Sequence, residues 1–154
     1  MLRVFNGESV SMSRLPAMAS GDFFKAVTGR VSNNQRISAF FGANGPDGET
    51  QVYAVLGDDR DGNLDILRTS LSGPYPSLTP DCPEAHMFER ELYEKWGIVP
   101  SGHPWLKPVR FQPPLGGKRT AVSTIGQTDF FHLGGEGTHE VAVGPVHEIG
   151  RAHV

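Results

Sequence analysis

The densest run of ionisable side chains is Glu89-Arg90-Glu91, inside Phe88–Trp96. Two acids flanking an arginine can form a buried ion-pair site or a partner-docking surface. Spacing alone favours a solvated helix face with weak pairs, since exposed pairs contribute only ~0–1 kcal/mol. The six histidines are His86, His103, His132, His139, His147 and His153. No two of them stand in the HExxH arrangement that places two ligands and a base on one helix face. Sharing a metal between His132, His139 and His147 would need the tail to fold back, so no metal is assigned. Cys82 is the single cysteine. It excludes an internal disulfide or a multi-Cys centre, and with no basic neighbour it reads as a packed or exposed thiol rather than a nucleophile. In DDRDGNLD, a calcium loop centred on Gly62 would need an oxygen ligand at Gly57 and a Glu at Arg68, so a solvated turn is the reading. Gly134–Gly137 lacks the spacing and following helix of a dinucleotide loop. No nucleophile–base pair or paired acids stand at a placeable spacing, so no catalytic residue is assigned.

The elements that must position these residues are legible in part. Val4–Pro16 alternates loosely and suits a first strand. Ser20 or Asp22 can cap a short helix, Phe23–Thr28, closed by Gly29. Arg36–Phe41 and Gln51–Leu56 are β-branched and aromatic runs around a turn-rich GANGPDGET, which predicts a hairpin with a long loop. Asn63–Leu71 predicts a third strand after DDRDGN. The clearest helix is Pro83–Trp96, with Thr79 or Asp81 as cap and Gly97 as stop. Its Ala85, Phe88, Leu92 and Trp96 share one face, and Glu91 stands one turn before Lys95. Beyond Gly97, Pro108–Phe111, Thr120–Ile125, Asp129–Leu133 and Glu140–Val143 are short strand candidates. The fold class is α/β (α+β): a small mixed β-sheet, two helices packed on it, and an extended Gly/Pro-rich C-terminal tail that depends on a partner.

Composition bounds the function. The chain has 154 residues, one domain's worth, with 38% hydrophobic and 20% charged residues, which argues against disorder. Its net charge of -3 lacks the basic excess of a sequence-independent nucleic-acid binder. Apolar runs are too short to span a membrane, and MLRVFNGESV lacks a signal-peptide pattern. A soluble protein in a reducing compartment fits these features.

Phe88–Phe111, FERELYEKWGIVPSGHPWLKPVRF, resembles the signature of the thirty-kilodalton subunit of respiratory NADH dehydrogenase. The resemblance rests on Glu89, Arg90, Glu91, Tyr93, Trp96, Gly97, Ile98, Gly102, His103, Pro104 and Leu106, with SLTPDCPEA leading in. The family usually has Asp at Glu94, Phe at Trp96, and two Arg at Lys107 and Pro108. EVAVGPVH, Glu140–His147, resembles the opening of the large subunit of energy-converting nickel–iron hydrogenases, such as those of formate hydrogenlyase and hydrogenase-4. The related forty-nine-kilodalton subunit of NADH dehydrogenase usually reads Gly-Pro-Gln-His there, so Val146 favours the hydrogenase branch. Glu148–Val154 resembles translated sequencing-adapter DNA.

The resemblance implies residues 1–111 as the thirty-kilodalton-subunit-like domain, 112–139 as linker, 140–147 as the start of a truncated large-subunit domain, and 148–154 as non-native. It implies a non-catalytic assembly domain in a membrane-associated complex that couples electron transfer to ion translocation, cytoplasmic and peripheral on the inner membrane face. No cofactor is expected in this fragment; a nickel–iron centre would belong to the missing domain. The implied partners are that domain, an iron–sulfur small subunit and a ferredoxin-like subunit, with the membrane arm indirectly and no nucleic acid. Glu89, Arg90, His103 and Trp105 are the expected interface or hinge residues. One alternative is a subunit of NADH–quinone oxidoreductase that fuses the thirty- and forty-nine-kilodalton types. The other is a stand-alone interaction module.

Overall fold

Strand-forming sequence dominates the first half, and it assembles as alternation requires. The structure, a computed structural model, describes residues 1–45 and 48–115. Strands β1 (Leu2–Phe5), β2 (Arg36–Asn44), β3 (Thr50–Asp58) and β4 (Asn63–Leu71) form an antiparallel sheet in the order β1-β4-β3-β2. β4 has the bounds its alternation predicts, and β2 and β3 extend the predicted runs. The β3–β4 turn is built from DDRDGN. Gly62 takes φ 68°, its N–H reaches the Asp58 carbonyl at 2.9 Å, and the Asp58 carboxylate accepts the Arg60 N–H.

The first strand is shorter than Val4–Pro16. Gly7 turns the chain at φ 87°, and Met12–Arg14 is a 3₁₀ turn. Helix α1 is longer than predicted, Ser20–Ser32. Neither Ser20 nor Asp22 caps it: Ala19 stands at the N-cap without a side-chain bond. Gly29 lies inside the helix and Asn34, at φ 66°, ends it. Asn tolerates that left-handed conformation, and the mid-helix cost of one Gly is only about 1 kcal/mol. Phe23, Phe24 and Val27 are buried against the sheet and offset that cost.

The second helix opens with a 3₁₀ turn, Pro83–Ala85, and continues as α2, His86–Trp96. Gly97 stops it at φ 69°, as its sequence predicts, with its N–H on the Tyr93 carbonyl. Thr79 and Asp81 do not cap it. Both helices cover one sheet face. Phe23, Val27, Phe40, Val52, Leu56, Leu67, Leu92 and Trp96 belong to one core cluster, with Phe88 packed against it. Gly42 of β2 lies directly under Trp96: a Cβ there would stand 2.5–2.9 Å from the indole ring.

Over its described part, which runs to Leu115, the tail after Gly97 returns onto the domain. β6 (Pro100–Ser101) pairs in parallel with β5 (Tyr75–Pro76). Pro108–Phe111 is not a strand; the segment folds back over α2, and the Leu115 N–H ends on the Lys95 carbonyl at 2.8 Å. Thr120–Ile125, Asp129–Leu133, Glu140–Val143 and the boundaries from 116 onward lie outside the described residues.

Candidate functional site

Helix α2 advances ~100° per residue, so Arg90 and Glu94 project ~40° apart, away from the apolar face of Leu92 and Trp96. Taken alone, that back face should be solvated. It is not, because the segment after Gly97 returns across it. Glu89, Arg90 and Glu94 are all buried. The solvated reading of Glu89-Arg90 is therefore corrected.

Each of the three holds backbone. Glu89, fully buried, accepts from Leu78 N–H (2.9 Å), Thr79 N–H (3.0 Å), Thr79 Oγ1 (2.6 Å) and Ser77 Oγ (2.7 Å). Thr79 thus serves Glu89 rather than the helix N-terminus. Arg90 donates from Nε to the Lys107 carbonyl at 2.7 Å and from Nη2 to the Pro108 carbonyl at 2.9 Å. Glu94 accepts from the backbone N–H groups of Val109 (2.7 Å), Arg110 (2.9 Å) and Gln112 (3.1 Å). Burial pushes the Glu94 carboxyl up, but these N–H donors outweigh it and hold it below the usual range. Burial lowers the Arg90 guanidinium, partly opposed by the Glu94 charge. Glu91 and Lys95 do not use each other in the predicted way: Glu91 takes Arg110 at 2.7 Å, and Lys95 donates to the Gln112 side-chain carbonyl.

Buried Arg90, half-buried His103 and exposed Trp105 come together. The Arg90 guanidinium lies 4.9 Å from the Trp105 ring centre, and Lys107 Nζ lies 5.6 Å from it. His86 stacks on both His103 (5.2 Å) and Trp105 (6.1 Å). His103 Nδ1 accepts the Trp105 backbone N–H at 3.1 Å, and its Nε2 faces the His86 carbonyl at 3.3 Å. Burial, then the nearby Arg90 charge, lowers His86 below the usual histidine range. Trp105 and Met87 remain about half exposed. Glu89 points elsewhere, toward Ser77–Thr79. Sequence reasoning missed His86, Lys107 and Glu94 as members. A buried acid one turn after Arg90, just before a Gly stop, was the available signal for Glu94.

Reactive chemistry finds little purchase. Burial, with Glu84 adding, pushes the Cys82 thiol up to about 11. The thiol is packed, as its sequence context predicts. Among the described residues, no three His, Cys, Asp or Glu side chains are placed to hold a metal ion, and no helix is long and apolar enough to cross a membrane.

Residues 22–116 match the model of the respiratory-chain NADH dehydrogenase 30 kDa subunit. The chain belongs to that family. Two curated relatives are NADH-quinone oxidoreductase subunits, both of the C type. That of Sinorhizobium medicae is 35% identical over 65 residues, 42% of this chain and 32% of the relative. That of Methylorubrum populi is 46% identical over 41 residues, 27% of this chain and 19% of the relative. The chain thus spans a third or less of these relatives. The family match takes in α1 from Asp22 onward, β2–β6 and the whole α2 arrangement, and leaves β1 and the Met12–Arg14 turn outside.

Proposed function

We propose that residues 1–111 are a non-catalytic assembly domain ahead of a large-subunit domain in a membrane-associated hydrogenase-type complex. The observation that carries this reading is the α2 arrangement. Its buried charges hold the domain's own backbone, and the surface left over is an aromatic platform of Trp105, His86, His103 and Met87 with Lys107 beside the Trp105 ring. Exposed aromatic and Met side chains on a rigid support suit a protein partner. The platform would face the iron–sulfur small subunit or the ferredoxin-like subunit, on the inner side of the membrane. A nickel–iron centre would be held by the following domain.

Val146 supports the hydrogenase branch. The names of both curated relatives favour the second reading, a fused subunit of NADH–quinone oxidoreductase. Reading the gene through codon 148 from its source DNA separates the two. Continuation into a domain with two Cys pairs is expected; continuation without them selects the second reading. A stop after Val154 defeats the fusion and leaves a stand-alone module. The platform is tested by co-purification with the co-expressed small subunit. Trp105→Ala and Met87→Asp should each abolish it without lowering Tm. Retention in both variants rejects the platform as the contact.

A further inference from the structure

The sheet has a second face, turned away from both helices, and alternation makes it apolar too. Phe41 on β2, Tyr53 and Val55 on β3, and Ile66 on β4 project from it. The segment Val10–Leu15 crosses this face and leaves a groove of about 360 Å³, lined almost wholly by apolar atoms. Leu15 is buried beneath the crossing, whereas Phe41 and Met12 stay about half exposed. Phe41 and Tyr53 stack at 5.3 Å along the groove floor.

Two arginines share this face: Arg36, which pairs with Asp59, and Arg68. Arg68 is the cross-strand neighbour of Tyr53 and lies two residues along β4 from Ile66, both of which line the groove. Its Nε is shut off from solvent with no hydrogen-bond partner. Its side chain makes no ion pair with any acid among the described residues. A guanidinium partly buried beside apolar rings without a carboxylate is costly, and a carboxylate arriving there would find a desolvated fork.

We propose that this outer face docks a segment of a partner protein that presents one carboxylate among apolar side chains, the carboxylate pairing with Arg68. Two other occupants fit less well. A bilayer would meet a concave groove on a chain of net charge -3, which anionic lipid repels. A second copy in a two-fold contact would present the same groove, whose lining residues include no acid for Arg68. The inference is independent of the α2 platform and of the type of complex. Part of the groove, Leu2 and Val10–Leu15, precedes the family-matched residues, so this chain's own N-terminal segment completes the site.

The test is selection of a random 12-residue display library on the full 154-residue chain, followed by fluorescence anisotropy with the recovered peptides. The expected peptides carry Asp or Glu between apolar residues. Arg68→Gln and Phe41→Ser should each weaken them at least tenfold. Arg68→Glu should prefer the same peptide with its acid changed to Lys. Trp105→Ala should leave binding unchanged. Failure to enrich, peptides without an acid, or equal binding to Arg68→Gln overturns the proposal. So does loss of binding in Trp105→Ala, which would place the peptide on the platform. Flotation with phosphatidylglycerol vesicles, or a dimer in sedimentation that Phe41→Ser dissolves, also overturns it in favour of lipid or self-association. Because Arg68 lacks an ion-pair partner, Arg68→Gln should melt no lower than the parent chain; a lower Tm would mark Arg68 as structural and overturn the proposal.

Discussion

Two buried charge clusters stabilise this domain by different means. Under α1, Asp65 of β4 is bound by side chains: Arg3 Nε at 2.8 Å, Arg30 Nε at 3.1 Å and Gln35 Nε2 at 3.1 Å. Around α2, Glu89, Arg90 and Glu94 bind mostly backbone. The first arrangement ties together particular residues of β1, α1 and β4, and it depends on the identity of every partner. At Lys107–Gln112 the second fixes the course of the loop through backbone groups alone, while at Ser77–Thr79 it adds two hydroxyls to the backbone donors. That explains how Lys107 and Pro108 can stand where the family usually has two Arg. Arg90 takes their carbonyls, which every residue supplies.

The largest effect should come from Glu89→Ala. It strands buried backbone and hydroxyl donors at Ser77–Thr79, and breaking such a buried charged network costs ~3–5 kcal/mol. Urea unfolding measures it; a loss below about 1 kcal/mol would erase the distinction between the clusters. Next is the acid limb of stability. The Arg3 hydrogen bond, aided by Gln35 and Arg30, holds Asp65 at about 2, against an ordinary 3.8. A depressed carboxyl stabilises above its unfolded pKa, so this contribution is intact above pH ~4 and lost as pH falls toward 2. At ~1.4 kcal/mol per unit it amounts to about 2 kcal/mol, and Asp65→Asn should flatten the pH profile of unfolding over that range.

Glu94→Gln should cost about 1–2 kcal/mol, because a neutral amide oxygen replaces a charged acceptor. Amide hydrogen exchange at Val109, Arg110 and Gln112 should accelerate together, while Leu67 on the sheet stays protected. The smallest effect sharpens the contrast most. Arg110→Gln removes an exposed pair with Glu91 but keeps the backbone N–H that Glu94 binds. It should change stability by less than ~0.5 kcal/mol.

The sequence carried the sheet and the inner face of α2 because both rest on periodicity. Asn63–Leu71 alternates, and Ala85, Leu92 and Trp96 repeat at helical spacing, so local pattern and tertiary burial agree. It failed where a distant segment decides. Nothing near Arg90 and Glu94 says that Lys107–Gln112 will cover them, so their charge reads as solvation. Gly29 looks like a stop, yet α1 continues because Phe23, Phe24 and Val27 bury against the sheet and Arg30 reaches Asp65. Of the four expected interface residues, Arg90, His103 and Trp105 cluster, with Arg90 buried beside the exposed Trp105 ring. Glu89 proves to be the deepest structural group of the set, for its donors stand ten to twelve residues upstream.

The small parallel pairing of β5 with β6 has a kinetic consequence. It joins Tyr75 to Pro100 on either side of α2, so the helix and the Ser77–Thr79 loop sit within one closed ring of chain, and the Lys107–Gln112 loop follows that ring and is tied to it through Arg90 and Glu94. Closing a short ring costs little entropy and its contacts are local. The ring and the loop tied to it are thus expected to open and reclose as one cooperative unit. A partner that gripped only this unit would raise its opening energy toward that of the whole domain, and would register as slowed exchange at the Glu89 and Glu94 backbone partners before any change in global unfolding.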